Sequence, residues 1–477
     1  MNTITDWTAT ALRDALHARQ VSAREVMEAY LDRIDRVNPA LNAIVSRVPR
    51  DGLLRAADQC DADAARGAFR GPLHGFPIAI KDLAPTQGIP TTMGAAALAH
   101  QIPAEDGLAV ARVRGAGAIV TGKTNVPEFG LGSHTTNPVF GPTRNPYDLG
   151  RSAGGSSGGA AVALAARMAP LADGSDFGGS LRNPAGWNNV FGFRPTSGRV
   201  PKLPSPDVFF SQMGYEGPMA RTVPDLALLL SVQAGYDPRA PLSLRDDPAS
   251  FFAPLDRDIG GIRIGWLGTM GGLPMEEGVL SVCEAALATF TSLGAHVEPV
   301  TFPLPRDEIW ETWLGIRHWS VGNGLRALYD NPDTRRTLSP QSVWEIEGSL
   351  SQTGQDLYRA TVGRTRVAHA FLTLFEQVDY LALPTAQLFP FDVGLAWPTD
   401  IAGTALDTYH RWMEATFAVS LSGCPALAVP AGFGGAHRLP MGLQLIAPHH
   451  ADLAVLRLAQ AYEQASPWIG QTRPPDP

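Results

Sequence analysis

The chain has 477 residues, 44% of them hydrophobic, enough to bury a large core in one large domain or in two to three smaller ones. Lysine and arginine total 38 against 46 aspartates and glutamates, a net charge of −8 with no basic run to track phosphates, so nucleic-acid binding is disfavoured. Three scattered cysteines, Cys60, Cys283 and Cys424, outline neither a disulfide framework nor a zinc site, and the polar N-terminus and the absence of a long apolar run predict a soluble cytoplasmic protein without membrane contact.

In chain order, residues 7–19 and 22–37 read as helices. Ser22 is a candidate N-cap, Glu25 completes a capping box, and Val26, Ala29, Tyr30 and Ile34 form a buried stripe. A third helix is predicted over 52–66. Ile78 to Ile80 then form a short buried strand, with Lys81 and Asp82 at its end. Loops rich in Gly, Pro, Thr and Asn dominate 83–155, interrupted by a helix at 108–115 and a strand at 118–121. A small-residue helix at 160–168, an amphipathic helix at 220–234, a strand at 262–267 and a helix at 276–293 continue an alternation that predicts α/β architecture. Residues 304–377 read as helical and hold Trp310, Trp313, Trp319 and Trp344; buried strands follow at 378–383 and 426–429. Without repeat or linker, 1–477 is expected to be one domain with a peripheral, tryptophan-rich helical part.

Lysine occurs only at 81, 123 and 202, so arginine supplies nearly all the positive charge. Arginine cannot lose its proton near neutrality and lysine can, which makes Lys81 and Lys123 candidates for a role that arginine could not fill.

The strongest local feature is GGSSGG at 154–159, followed by SDFGGSLR at 175–182. Glycines admit positive φ and remove bulk, so backbone amides can converge on an oxyanion while a serine hydroxyl is presented beside them. A flexible Gly/Ser loop is the plainer alternative. Gly154 to Gly158 also satisfies GxSxG, but no strand precedes the serine as a nucleophile elbow requires. Residues 117–124 match a phosphate-binding loop pattern, yet their middle is an apolar strand and Pro127 opposes a following helix. No HExxH pattern is present among the eleven histidines, and no lysine follows a serine at SxxK spacing.

These segments resemble the amidase signature family. LHGFPIAIKD at 73–82 is similar to its lysine motif, and GKTNVPEF at 122–129, GPTRNP at 141–146, GGSSGG and the segment ending in Ser180 follow in the family's order and spacing. The resemblance runs from about residue 9 to 464, with a signature core of about 70–220. It implies a large mixed β-sheet covered by helices on both faces, with Lys81, Ser156 and Ser180 at the centre and Ser156 in a cis peptide bond. It also implies an amidase mechanism without metal or cofactor. Neutral Lys81 takes a proton from Ser156, Ser156 takes one from Ser180, and Ser180 attacks the carbonyl to form an acyl-enzyme.

The backbone amides of Phe177, Gly178, Gly179 and Ser180 would hold the oxyanion, with Ser157, Ser175, Asp176 and Arg182 as supports and Gly130, Leu131, Phe177 and Trp187 around the substrate. The chain departs from the family's usual residues at Phe177 and at 186–189, which bears on pocket shape. Lys81 must be buried to be neutral, and Asp82 would oppose this if its carboxylate approached, so either its side chain is expected to point elsewhere or the pH optimum to be alkaline. Trp310, Trp313 and Trp319, with Phe177, Trp187, Phe209 and Phe210, suggest an aromatic or long acyl substrate, although tryptophans at helical spacing are more often core. The expected partner is a small amide or carbamate, acted on by a monomer or homodimer. The alternatives are a glutaminase-type component of a tRNA-dependent amidotransferase and an inactive scaffold of the same fold.

Overall fold

Apolar alternation along the C-terminal strands sets the layers of the computed structural model, which describes residues 3–210, 212–466 and 468–477. In the strand Ala426–Gly434, Leu427 and Val429 join one cluster of buried side chains while Ala426 and Ala428 join clusters on the opposite face. Tyr380–Pro384 repeats the pattern, with Ala382 on the first side and Leu381 and Leu383 on the second. Both faces are therefore committed to burial.

Eight strands make this sheet, in the order His296–Pro299, Arg263–Trp266, Tyr380–Pro384, Leu439–Ile446, Ala426–Gly434, Phe191–Arg194, Tyr215–Ala220 and Ala172–Asp176. The first three run parallel and every later neighbour is antiparallel. Helices Val279–Ser292 and Asp452–Ala465 place Cys283, Phe290, Leu456 and Tyr462 against one face. Arg182–Trp187 and Gly158–Ala165 contribute Ala185, Trp187, Ala161 and Leu164 to the other. The expected α/β architecture, a large mixed sheet with helices on both faces, is what the chain adopts.

A smaller sheet carries the lysine. Pro77–Lys81 pairs in parallel with Ile119–Thr124, which pairs antiparallel with Ile44–Val45. It docks on the edge strand Ala172–Asp176, where the amide of Lys81 donates to Asp173 Oδ1 at 2.8 Å. Two serine-bearing loops and one lysine, distant in sequence, are thereby held around one seam.

Local signals fare well where they are chemical. Ser22 and Glu25 form the capping box, Glu25 N donating to Ser22 Oγ at 3.0 Å and Ser22 N to Glu25 Oε2 at 2.8 Å. The helix predicted from 220 instead starts at Val223. Residues 215–220 are the strand Tyr215–Ala220, and Thr222 caps the helix by accepting from Asp225 N. The expected helical region is a series of separate helices, among them Arg306–Arg317, Pro340–Leu350 and Gly354–Phe375. Among the described residues no helix is long and apolar enough to cross a membrane.

Candidate active site

Lys81 ends its strand 1% exposed, with Nζ 2.9 Å from Ser156 Oγ, 2.8 Å from Ser157 Oγ and 2.9 Å from Ser175 O. The Gly155–Ser156 peptide bond is cis. Burial pushes the Lys81 amine down to about 7, against the opposing pull of Asp173 and Asp176. A neutral amine has two N–H bonds and one lone pair. The Ser175 carbonyl can only accept, so with the second proton on Ser157 Oγ the lone pair is left to face the Ser156 hydroxyl.

Asp82 does point elsewhere: its carboxylate accepts from the Thr92 hydroxyl at 2.5 Å and from the Thr92 amide at 3.2 Å. Lys123 is buried too, but its Nζ is spent on Ala84 O, Thr86 Oγ1 and Thr91 Oγ1, tying down a loop away from the serines. The arginine bias of the sequence thus singled out one lysine among serines and one structural tether.

Ser180 is 7% exposed at the end of the glycine loop. Its carbonyl accepts from Ser157 N at 3.2 Å, which joins the two serine loops, while its hydroxyl makes no hydrogen bond with a described residue. The Asp176 carboxylate shapes the loop, accepting from Gly179 N at 2.7 Å, Leu181 N at 3.1 Å, Arg182 Nε at 3.0 Å and Arg194 Nη1 at 3.1 Å. Burial pushes its pKa up, but the charges of Arg182 and Arg194 outweigh this and hold it below the ordinary carboxylate range. Of the four expected oxyanion donors, the Gly179 amide donates to Asp176, whereas the amides of Phe177, Gly178 and Ser180 make no hydrogen bond with a described residue.

Trp313 roofs this loop. A Cβ on Gly178 would lie 2.3 Å from Trp313 Cη2, so only glycine lets the indole pack so closely. Trp313 stacks on Phe417 at 3.9 Å and meets Phe177 edge-on at 5.6 Å, and the Arg317 guanidinium lies 5.3 Å from the Phe177 ring. Arg317 is itself held by Glu345 Oε1 at 2.5 Å and by the Tyr409 hydroxyl at 2.7 Å. Opposite, Gly130 has φ +74, and a Cβ there would come within 3.2 Å of Ser156 Oγ.

Of the expected pocket residues, Phe177 lines a cavity of about 180 Å³ and Leu131 one of about 240 Å³ that also includes Trp397, Tyr409 and Trp412. Trp187 lines neither of these two cavities. It is fully buried between Phe391 and Trp412, with Nε1 donating to Leu388 O at 3.1 Å. Trp310 and Trp313 belong to the same core, whereas Trp319 meets the exposed Phe210 edge-on at 6.4 Å.

No histidine hydrogen-bonds Ser156 or Ser180 among the described residues. His134 bonds Ser152 Oγ and is driven down to about 4 by burial, and His74 bonds Cys60 O. Nor do the described residues include a group of His, Cys, Asp and Glu arranged to hold a metal ion.

The model of the Amidase family matches residues 25–456. The chain belongs to the amidase signature family. The acylamidase of Rhodococcus erythropolis is 36% identical to this amidase over 96% of its chain and 95% of the relative. A glutamyl-tRNA(Gln) amidotransferase component from Salinispora tropica is also 36% identical, over the whole of both chains. Among solved structures, a bacterial aryl acylamidase of the amidase signature family superposes with a TM-score of 0.91 at 33% identity, covering 98% of this chain and 99% of that one. The amidase is an amide-hydrolysing enzyme, and the lysine and serines described above are its candidate reacting groups.

Residues that sequence reasoning overlooked complete the site. Asp173 receives the Lys81 amide, and Glu216 lies opposite Ser175 in the strand pairing. Thr416 Oγ1 donates to Gly178 O at 2.7 Å. Each acts across a pairing or packing that joins distant segments, and no local pattern in the chain announces it.

Proposed function

We propose that the amidase cleaves acyl amides through an acyl-enzyme on Ser180, with Ser156 and Lys81 carrying the proton. The observation that carries this reading is the buried Lys81 amine, held to about 7 and hydrogen-bonded to Ser156 at 2.9 Å. At neutral pH about half of such lysines are neutral, against roughly three in ten thousand for an unperturbed one. The Ser180 oxygen attacks the carbonyl carbon as its proton passes to Ser156 and that of Ser156 passes to Lys81. Negative charge on the carbonyl oxygen is met by the amides of Phe177, Gly178 and Ser180, each donor typically contributing about 3 kcal/mol to the transition state. The proton then returns through Ser156 to the nitrogen, the C–N bond breaks, and water hydrolyses the ester by the same route in reverse.

Aryl amides and related carbamates are the favoured substrates. The aromatic walls at Phe177, Trp397 and Tyr409 and the likeness to the aryl acylamidase both support this. A second reading draws on the equally high identity to the Salinispora amidotransferase component: a glutaminase that works with protein partners. Following amine release from anilides, carbamates, aliphatic amides and glutamine separates them. Turnover of anilides or carbamates, lost in Ser180→Ala, is expected; turnover of glutamine alone would favour the second reading.

A further inference from the structure

Of the three lysines, Lys81 and Lys123 are buried and fully partnered, and Lys202 is neither. It stands at the rim of the cavity of about 180 Å³ that opens at Phe177, three residues before Ser180. A Cβ on Gly214 would lie 3.8 Å from Phe177 Cδ2 and 3.9 Å from Lys202 Nζ, so the ring and the ammonium both border the bare backbone of Gly214.

Three other polar side chains on this wall are tied into their own loop. Ser205 Oγ donates to Asp207 O at 2.7 Å, Gln212 Nε2 donates to Val208 O at 2.9 Å, and Asp207 Oδ1 accepts from the amides of Phe209 and Phe210. Lys202 makes no hydrogen bond or ion pair with a described residue. Burial pushes the Glu216 carboxyl, two residues beyond Gly214, up to about 7, and the Lys202 charge pulls against this. The lining mixes apolar Phe177, Val200 and Leu242 with polar Ser205, Asp207 and Gln212. A cavity with apolar side chains in its wall and a cation held in no ion pair suits a ligand with an apolar stem and an anionic end.

We infer that this cavity is a substrate subsite for a carboxylate, with Lys202 as the recognising charge: the amidase acts preferentially on amides that carry a carboxylate on the part of the molecule lying against Phe177. The inference rests on Ser180 as the reacting centre, because the cavity owes its meaning to Phe177 and the loop that follows it. A carboxylate seated there replaces solvent at the ammonium without displacing any existing partner. Neutral amides keep the Phe177 wall and lose only the charged contact, so Lys202 discriminates between substrates and takes no part in the proton relay.

The test uses matched amides: acetanilide against 4-acetamidobenzoate for a carboxylate on the amine side, and butyranilide against the monoanilide of glutaric acid for one on the acyl side. In at least one pair the wild-type enzyme is expected to favour the carboxylated member in kcat/KM. Lys202→Met should lose about tenfold on that member through KM while changing the neutral one by about twofold or less, and Lys202→Arg should keep the preference. No carboxylate preference in either pair, or equal losses on neutral and charged amides in Lys202→Met, overturns the inference. Binding of the same compounds to Ser180→Ala, measured by calorimetry with and without Lys202→Met, reads the subsite without turnover: tighter binding of a carboxylated member that depends on Lys202 supports it, and its absence overturns it. Failure of the acyl-enzyme reading shows differently, as turnover that persists in Ser180→Ala.

Discussion

Replacing Lys81 with methionine keeps an unbranched side chain in the seam and removes the amine. In the folded protein burial holds that amine to about 7, whereas in the unfolded chain it titrates near the ordinary lysine value of about 10.4. Between these two values the unfolded chain binds a proton that the folded protein has shed. Wild-type stability therefore rises with pH across this window, by at most about 1.4 kcal/mol per unit, and is lost as pH falls toward 7. Below about 7 both states are charged and the burial penalty is complete. Methionine has no such dependence, so the stability of Lys81→Met relative to wild type should fall by about 2 kcal/mol from about pH 7 to about pH 9, equivalent to about 2 °C of Tm in a chain of this size. Urea unfolding followed by tryptophan fluorescence at the two pH values, with calorimetry alongside, measures it. A difference between variant and wild type that stays constant or grows with pH would mean that Lys81 stays protonated when folded, and a base role would be refuted.

Three further outcomes follow from the geometry. Wild-type kcat/KM should rise with pH through an apparent pKa of about 7 and then level off, as neutral Lys81 accumulates; a profile flat from about pH 5 to about pH 9 would contradict this. Gly178→Ala puts a methyl group 2.3 Å from Trp313 Cη2, so the loop or the indole must move; a loss of kcat of about a hundredfold is expected, and Gly178→Ala with Trp313→Leu should recover part of it in the same assay. Asp176→Asn leaves Arg182 and Arg194 buried without their shared carboxylate, and thermal unfolding should report a destabilisation of about 3–5 kcal/mol.

Much of the site was legible because its chemistry is local. The glycines around Ser156 and Ser180, and the retention of Lys81 in an arginine-biased chain, point to the same seam that the fold assembles. That Asp82 turns away from Lys81 was one of two outcomes electrostatics allowed; its partner Thr92 was not foreseen. What stayed hidden depends on long-range packing. Ala172–Asp176 carries no strand signal, because Ala-Asp-Gly-Ser-Asp has no apolar alternation, yet it is an edge strand that receives Lys81 through Asp173. The commitment of the Gly179 amide to Asp176 depends on two arginines buried from different segments. Trp187 lies in the segment 186–189 that departs from the family's usual residues, and only the fold shows it buried and stacked on Trp412. The helix expected at 220–234 overlaps the strand Tyr215–Ala220 at Ala220 alone, because the strand's Pro-Met-Ala end continues into an apolar helical run.

The most direct test of the account treats wild type and Ser180→Ala with a fluorophosphonate, maps the adduct by mass spectrometry, and follows amine release from an anilide by the same two proteins. One adduct on Ser180 in the wild type, none in Ser180→Ala, and loss of amine release in the variant are the predicted results. Amine release by Ser180→Ala at the wild-type rate, or an adduct on a different serine in the wild type, would contradict the central claim.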